Sequence, residues 1–129
     1  MKVTYPAIFT SEVEGGYSVR FYDIPNAVTC GDNLTEAIEM AEDVLGGILA
    51  LDFIEVEKKM PETTNPLDIE TNDLEFVSLI TVNPFRYVES TKTVRKNVTV
   101  PEWLAKRADK SRINFSETLT QALIDRLDV

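Results

Sequence analysis

Residues 92–101, KTVRKNVTVP, set valines at 94, 98 and 100 against polar neighbours and close on a proline. Such alternation marks a strand with one apolar face, and Pro101 suits the first turn of a following helix. EWLAKRADKS and INFSETLTQALIDRL then supply two helices, the second opened by Asn114 with Glu117 three residues on, a capping pair. A lone strand cannot satisfy its backbone or bury its face, and a tail of about 38 residues is too short to build its own core. Pairing the strand with its copy from a second subunit meets both needs. The expectation is a β-α-α module, residues 92–129, that is at least dimeric. Counting back from Pro101 turns Val100 and Val98 inward and Thr99, Asn97 and Arg95 outward. A one-residue slip would bury Arg95 and Asn97 and expose the valines.

A two-stranded antiparallel ribbon fits the major groove of DNA, where arginine reads guanine and asparagine reads adenine. The free N–H groups at the start of the last helix, near Asn114 and Ser116, suit a phosphate. The candidate DNA-binding residues are therefore Arg95, Asn97, Thr99, Asn114 and Ser116. The plainer alternative is a dimerisation arm with a solvated polar face. Charge bears on the choice. Residues 1–91 carry 5 Lys/Arg against 17 Asp/Glu, and residues 92–129 carry 8 against 5. An acidic part that repels nucleic acid is thus followed by a basic part that attracts it.

Residues 1–88 predict a β-β-β-α-β unit. KVTYPAIF is a strand that Pro6 assigns to an edge or a bulge. SEVEGG turns into YSVRFY, and DIPNA turns again into the short strand VTC, with Asn26 placed to adopt a left-handed conformation. Asn33 and Glu36 open a helix whose apolar stripe runs through Leu34, Ala37, Ile38, Ala41, Val44, Leu45, Ile48 and Leu51. Gly46 and Gly47 weaken it and leave room for close packing on the sheet. Glu36, Glu39, Glu42 and Asp43 avoid the stripe, forming either a solvated face or a surface for a cationic partner. KKMPETTNPLDIETND is a loop, and LEFVSLITV is best placed as a central strand. A helix on one face of a small antiparallel sheet is an α+β arrangement.

The chemistry-bearing residues point away from catalysis. There is no histidine, hence neither the commonest general base nor the commonest metal ligand. Asp23 and Asp32 bracket a turn, where aspartate ordinarily bonds local backbone. Cys30 reads as a small buried or half-buried residue. SEVEGGYS lacks the spacing of a phosphate loop. No enzyme activity, metal or cofactor is expected. A single cysteine fits a reducing cytoplasm, the first residues do not read as a signal peptide, and no apolar run is long enough for a membrane span.

VRKNVTVPEWLAKRADKSRINFSETLTQALIDRL resembles a ribbon-helix-helix DNA-binding domain. DIPNAVTCGDNLTEAI resembles the turn and helix start of the HicB antitoxin family, with Asn26 where that family has glycine and Ala27 where it has cysteine. MPETTNP resembles the family's proline-containing segment after the helix. The resemblance implies a truncated ribonuclease H-like domain over residues 1–88 that binds a basic, mRNA-cleaving HicA-type toxin and covers its active surface. It implies a ribbon over residues 92–129 that binds operator DNA and represses the protein's own operon. It assigns no toxin-contact residues and leaves dimer and tetramer both open. The alternatives are a ribbon-helix-helix regulator with a ligand-sensing N-terminal domain and, third, an enzyme acting on nucleic acid.

Overall fold

The structure is a computed structural model that describes residues 1–90 and 92–129. The chain divides into two compact units, Met1–Glu89 and Ser90–Val129.

In the first unit the strands β1 (Val3–Ser11), β2 (Tyr17–Phe21), β3 (Val28–Gly31) and β4 (Glu75–Val82) form one antiparallel sheet in the order β3-β2-β1-β4. Helix α1 (Leu34–Leu49) packs on it. Ala37, Ala41, Leu45 and Leu49 meet Tyr5, Ala7, Phe9, Val19, Phe21, Ile80 and Val82 in one buried cluster. The fold is α+β, with a helix covering one face of the sheet.

The strand order reverses one expectation. The proline-bearing β1 lies inside the sheet, and β4, LEFVSLITV in sequence, lies at its edge. The reason is where the β1–β2 ladder stops. It ends at Ala7↔Phe21, and the Pro6 carbonyl beyond it accepts from the Tyr22 N–H at 3.3 Å. In an antiparallel strand a residue's N–H and C=O share a side. The donor that Pro6 lacks therefore faces β2 just past the last rung, and the β1–β4 ladder runs on unbroken from Val3↔Val82 to Thr10↔Glu75.

The turns follow their sequence chemistry. Gly15 and Gly16 adopt φ of 98° and 80°, and Asn26 adopts 68°. Asn33 caps α1, its Oδ1 accepting from the Glu36 N–H at 2.9 Å. The far end of α1 departs from a plain stripe. Residues Ala50–Ile54 wind as a π-helix, with the Glu55 N–H reaching the Ala50 carbonyl at 2.9 Å. The wider turn rotates Leu51 into solvent at 64% exposure, while Leu49 and Ala50 are buried.

Two glycines set close approaches, but neither Gly46 nor Gly47 makes the expected one to the sheet. A Cβ on Gly31 would lie 2.4 Å from the Ala37 nitrogen and 2.6 Å from its Cα, so this glycine lets β3 touch the first turn of α1. A Cβ on Gly46 would lie 2.3 Å from the Tyr87 ring, which comes from the short 3-10 helix Pro84–Tyr87. Gly47 meets nothing within 4 Å.

The long loop after the π-helix is tied down by side chains. Met60 packs against the core, and the Tyr5 hydroxyl donates to the Pro61 carbonyl at 2.5 Å. Asp23 does not bond its own turn as expected. Its carboxylate accepts from the Thr64 N–H at 2.9 Å and from the Thr64 hydroxyl, clasping the β2–β3 turn to a segment 41 residues away. Cys30 is exposed rather than buried.

The second unit contains α2 (Glu102–Lys110) and α3 (Phe115–Leu127). Residues 92–100 form neither helix nor strand pairing within the chain.

Candidate functional site

Pro101 starts α2, its carbonyl accepting from the N–H groups of Leu104 and Ala105 at 3.0 Å each. The helix ends in a Schellman turn. The Ile113 N–H bonds the Ala108 carbonyl at 3.0 Å, the Arg112 N–H bonds the Asp109 carbonyl at 3.1 Å, and Arg112 takes φ of 54°. That turn delivers Asn114, whose Oδ1 accepts from the Glu117 N–H at 3.1 Å and caps α3.

The sequence-derived candidates fall into two groups. Arg95, Asn97 and Ser116 line one hollow of about 810 Å³, together with Val94, Leu119 and Leu123. Thr99 and Ser116 line a neighbouring hollow of about 400 Å³ with Val98, Val100, Phe115 and Ala122. Both hollows lie between residues 93–100 and α3. Asn114 lines neither. Its side-chain oxygen takes up the Glu117 N–H, so the N–H donors still open to an anion there are those of Phe115 and Ser116, ahead of the first intrahelical bond.

No residue of α2 or α3 is buried. Val98 is 62% exposed, Val100 44%, Leu119 38% and Leu123 50%. Fully burying one such side chain contributes about 1.5–3 kcal/mol, so the unit leaves a large part of its apolar surface unused.

The first unit carries a different surface. Glu36, Glu39 and Asp43 are exposed on α1 and Glu42 is half-buried. The Tyr87 hydroxyl donates to Asp43 Oδ1 at 3.3 Å. Burial, and next the Asp43 carboxylate, push the Tyr87 phenol above its ordinary pKa. Gly47, Leu51, Glu55, Tyr87 and Glu89 line an acid-rimmed hollow of about 280 Å³. This hollow had no sequence signal, because it depends on the π-helix and on Tyr87 meeting Gly46. Among the described residues, no group of three or more His, Cys, Asp or Glu is placed to hold a metal ion. No described helix is long and apolar enough to cross a membrane.

The family model described as HicB_like antitoxin of bacterial toxin-antitoxin system matches residues 5–128. The chain belongs to this family of antitoxins. Antitoxin HicB of Escherichia coli K12 is 38% identical over 71 residues, which is 55% of this chain and 50% of the relative. Antitoxin HicB 1 of Photorhabdus laumondii is 48% identical over 58 residues, 44% of this chain and 36% of the relative. The chain thus spans about half or less of the length of these curated relatives. A toxin–antitoxin complex from Streptococcus pneumoniae contains a chain that is 30% identical with a TM-score of 0.63, covering 98% of this chain and 99% of that one. The Burkholderia pseudomallei antitoxin HicB, 17% identical with a TM-score of 0.55 and covering 97% and 98%, shares the fold.

Proposed function

We propose that this protein neutralises a cognate HicA-type toxin through residues 1–88 and represses its own operon through a dimeric ribbon-helix-helix module, residues 92–129. The observation that carries the second half is the missing core of the C-terminal unit, whose α2 and α3 bury no residue. A second copy of the segment 92–100 would pair with the first as an antiparallel ribbon. The valines of both would then fill the hollow beside Phe115 and Ala122. Arg95, Asn97 and Thr99 would face the major groove, and the N–H groups of Phe115 and Ser116 a phosphate.

The toxin half rests on family membership and on charge. The neighbour from Streptococcus pneumoniae is a toxin–antitoxin complex. The carboxylates of Glu36, Glu39 and Asp43 on α1 stand in for the phosphates that a basic, RNA-directed toxin would hold. The β-β-β-α start of the first unit supports the truncated ribonuclease H-like reading of that module.

The experiment is operator binding across a salt series, with toxin binding followed in parallel. Asn97→Ala should cost about 1–3 kcal/mol at the cognate site and relax preference at one base per half-site. A lysine that touches phosphate should, when replaced, weaken all sequences alike and lower the salt slope by roughly one. Unchanged operator affinity in folded Arg95→Ala and Asn97→Ala dimers would refute the reading face.

A further inference from the structure

The hollow at the far end of α1 is made by a few specific residues. Gly47, Leu51 and Glu55, spaced four apart along α1 and the π-helix, line it together with Tyr87 and Glu89. The Tyr87 ring is fixed at two points. It lies against Gly46, where a Cβ would come within 2.3 Å of it, and its hydroxyl donates to Asp43 Oδ1 at 3.3 Å. Through that hydrogen bond the hollow adjoins the acidic face of α1.

Much of this lining has no partner within the unit. Leu51 is 64% exposed. Glu55 and Glu89 are exposed, and among the described residues neither carboxylate has a hydrogen-bond or ion-pair partner. Other acids of the unit are engaged: Asp23 by Thr64, Glu75 by Arg20 and Asp43 by Tyr87. An apolar wall, an aromatic ring and two unengaged carboxylates suit a side chain with an apolar stem and a cationic head. At about 280 Å³ the hollow falls just below the usual range for small-molecule pockets, about 300–1,000 Å³, and so fits one side chain. No hydrogen bond pre-aligns the carboxylates for a planar guanidinium, whereas the rotatable donors of an ammonium need no such alignment.

We propose that this hollow receives one lysine side chain of the HicA-type toxin, its stem between Leu51 and Tyr87 and its ammonium between Glu55 and Glu89. The inference rests on the toxin-binding reading above and adds an anchoring point to it. Charge complementarity selects the occupant. The first 91 residues carry 17 Asp/Glu against 5 Lys/Arg, so a basic partner is drawn to this unit. A side chain that leaves water for a lined pocket is the kind of contact on which an interface depends most.

The test is calorimetric titration of the full chain with a HicA-type toxin. Gly47→Leu fills the hollow without changing charge, and a Cβ at this position meets nothing within 4 Å. Glu55→Gln/Glu89→Gln removes the rim charges at two exposed positions, so one variant serves if the other unfolds. Each should raise Kd at least about tenfold, as loss of an anchoring contact does. Combined, they should do no worse than the more damaging of the two, because both act on the same inserted side chain. Glu14→Gln/Glu70→Gln removes as much charge elsewhere in the unit and should bind as the wild type does. Lysine-to-methionine changes along the toxin keep the stem and remove the ammonium. One of them should reproduce the loss with the wild type and add nothing with Gly47→Leu. A folded Gly47→Leu that binds as tightly as the wild type overturns the site and leaves the toxin reading standing. Equal loss from Glu14→Gln/Glu70→Gln assigns the effect to general charge and overturns it too, as does a toxin in which no methionine change is silent with Gly47→Leu. A wild type that does not bind the toxin refutes both readings.

Discussion

Gly31→Ala and Gly47→Ala should move stability in opposite directions. Neither glycine has a positive φ, so alanine is compatible with both backbones. With open space around it, such a change stabilises by about 0.4–1 kcal/mol through the unfolded state. In the α1 interior the helix preference for alanine is about 0.8–1 kcal/mol. Gly47 has nothing within 4 Å of a new Cβ, so Gly47→Ala should gain that amount. At Gly31 the new Cβ would sit 2.4 Å from the Ala37 nitrogen and 2.8 Å from the Glu36 carbonyl carbon. These are backbone atoms of a capped helix turn, and no side-chain rotation relieves them. Overpacking of this kind costs about 1–3 kcal/mol or more, which outweighs the entropic gain. For a unit of this size about 1 kcal/mol moves the melting midpoint by about 4–8 °C. Thermal unfolding followed by circular dichroism should show Gly31→Ala lower by about 5–15 °C and Gly47→Ala higher by about 4–8 °C. A Gly31→Ala midpoint at or above the wild type would refute the close approach of β3 to α1, and with it the placement of the acidic helix face.

Asp23→Asn should lower stability by about 1.5–3 kcal/mol in urea, the range for hydrogen bonds to a charged group, and should speed amide exchange at Thr64. Tyr5 is held above its ordinary pKa by burial and then by Asp23. The unfolded state therefore ionises first, so Tyr5 contributes stability below about pH 10 that is lost as pH rises through its folded pKa. Denaturation at pH 8 and pH 11 should show a smaller drop for Tyr5→Phe than for the wild type. Arg112→Gly should stabilise the second unit by about 1 kcal/mol, because a non-glycine residue in the left-handed region costs about 1–2 kcal/mol. Melting at fixed protein concentration checks it.

Much of the first unit was legible locally. The two glycines of the first turn, the left-handed Asn26 and the Asn33 cap each follow from neighbours within a few residues. What escaped was non-local. Pro6 argues for an edge until one knows that the adjacent ladder ends beside it. Asp23 looks like a turn residue until Thr64 arrives from 41 residues away. Leu51 continues the apolar stripe in sequence, but a π-helix rotates it outward. In the second unit, Asn114 was legible as a cap, and that same cap takes up the Glu117 N–H, leaving those of Phe115 and Ser116 as the open donors. Ser116 lines both hollows with residues 93–100, a juxtaposition that the helix pattern alone does not place.

Calorimetric titration of the full chain with a HicA-type toxin, the partner proposed above, tests the role of the acidic helix face most directly. The wild type is compared with Glu39→Lys/Asp43→Lys, which reverses two carboxylates one helical turn apart on α1. The wild type should bind tightly, with an affinity that falls as salt rises. The double variant should show at least a tenfold higher Kd, about 1.4 kcal/mol, with operator binding unchanged. Equal affinity of both proteins for the toxin, with the variant folded, would contradict the assignment of the acidic helix face to the toxin.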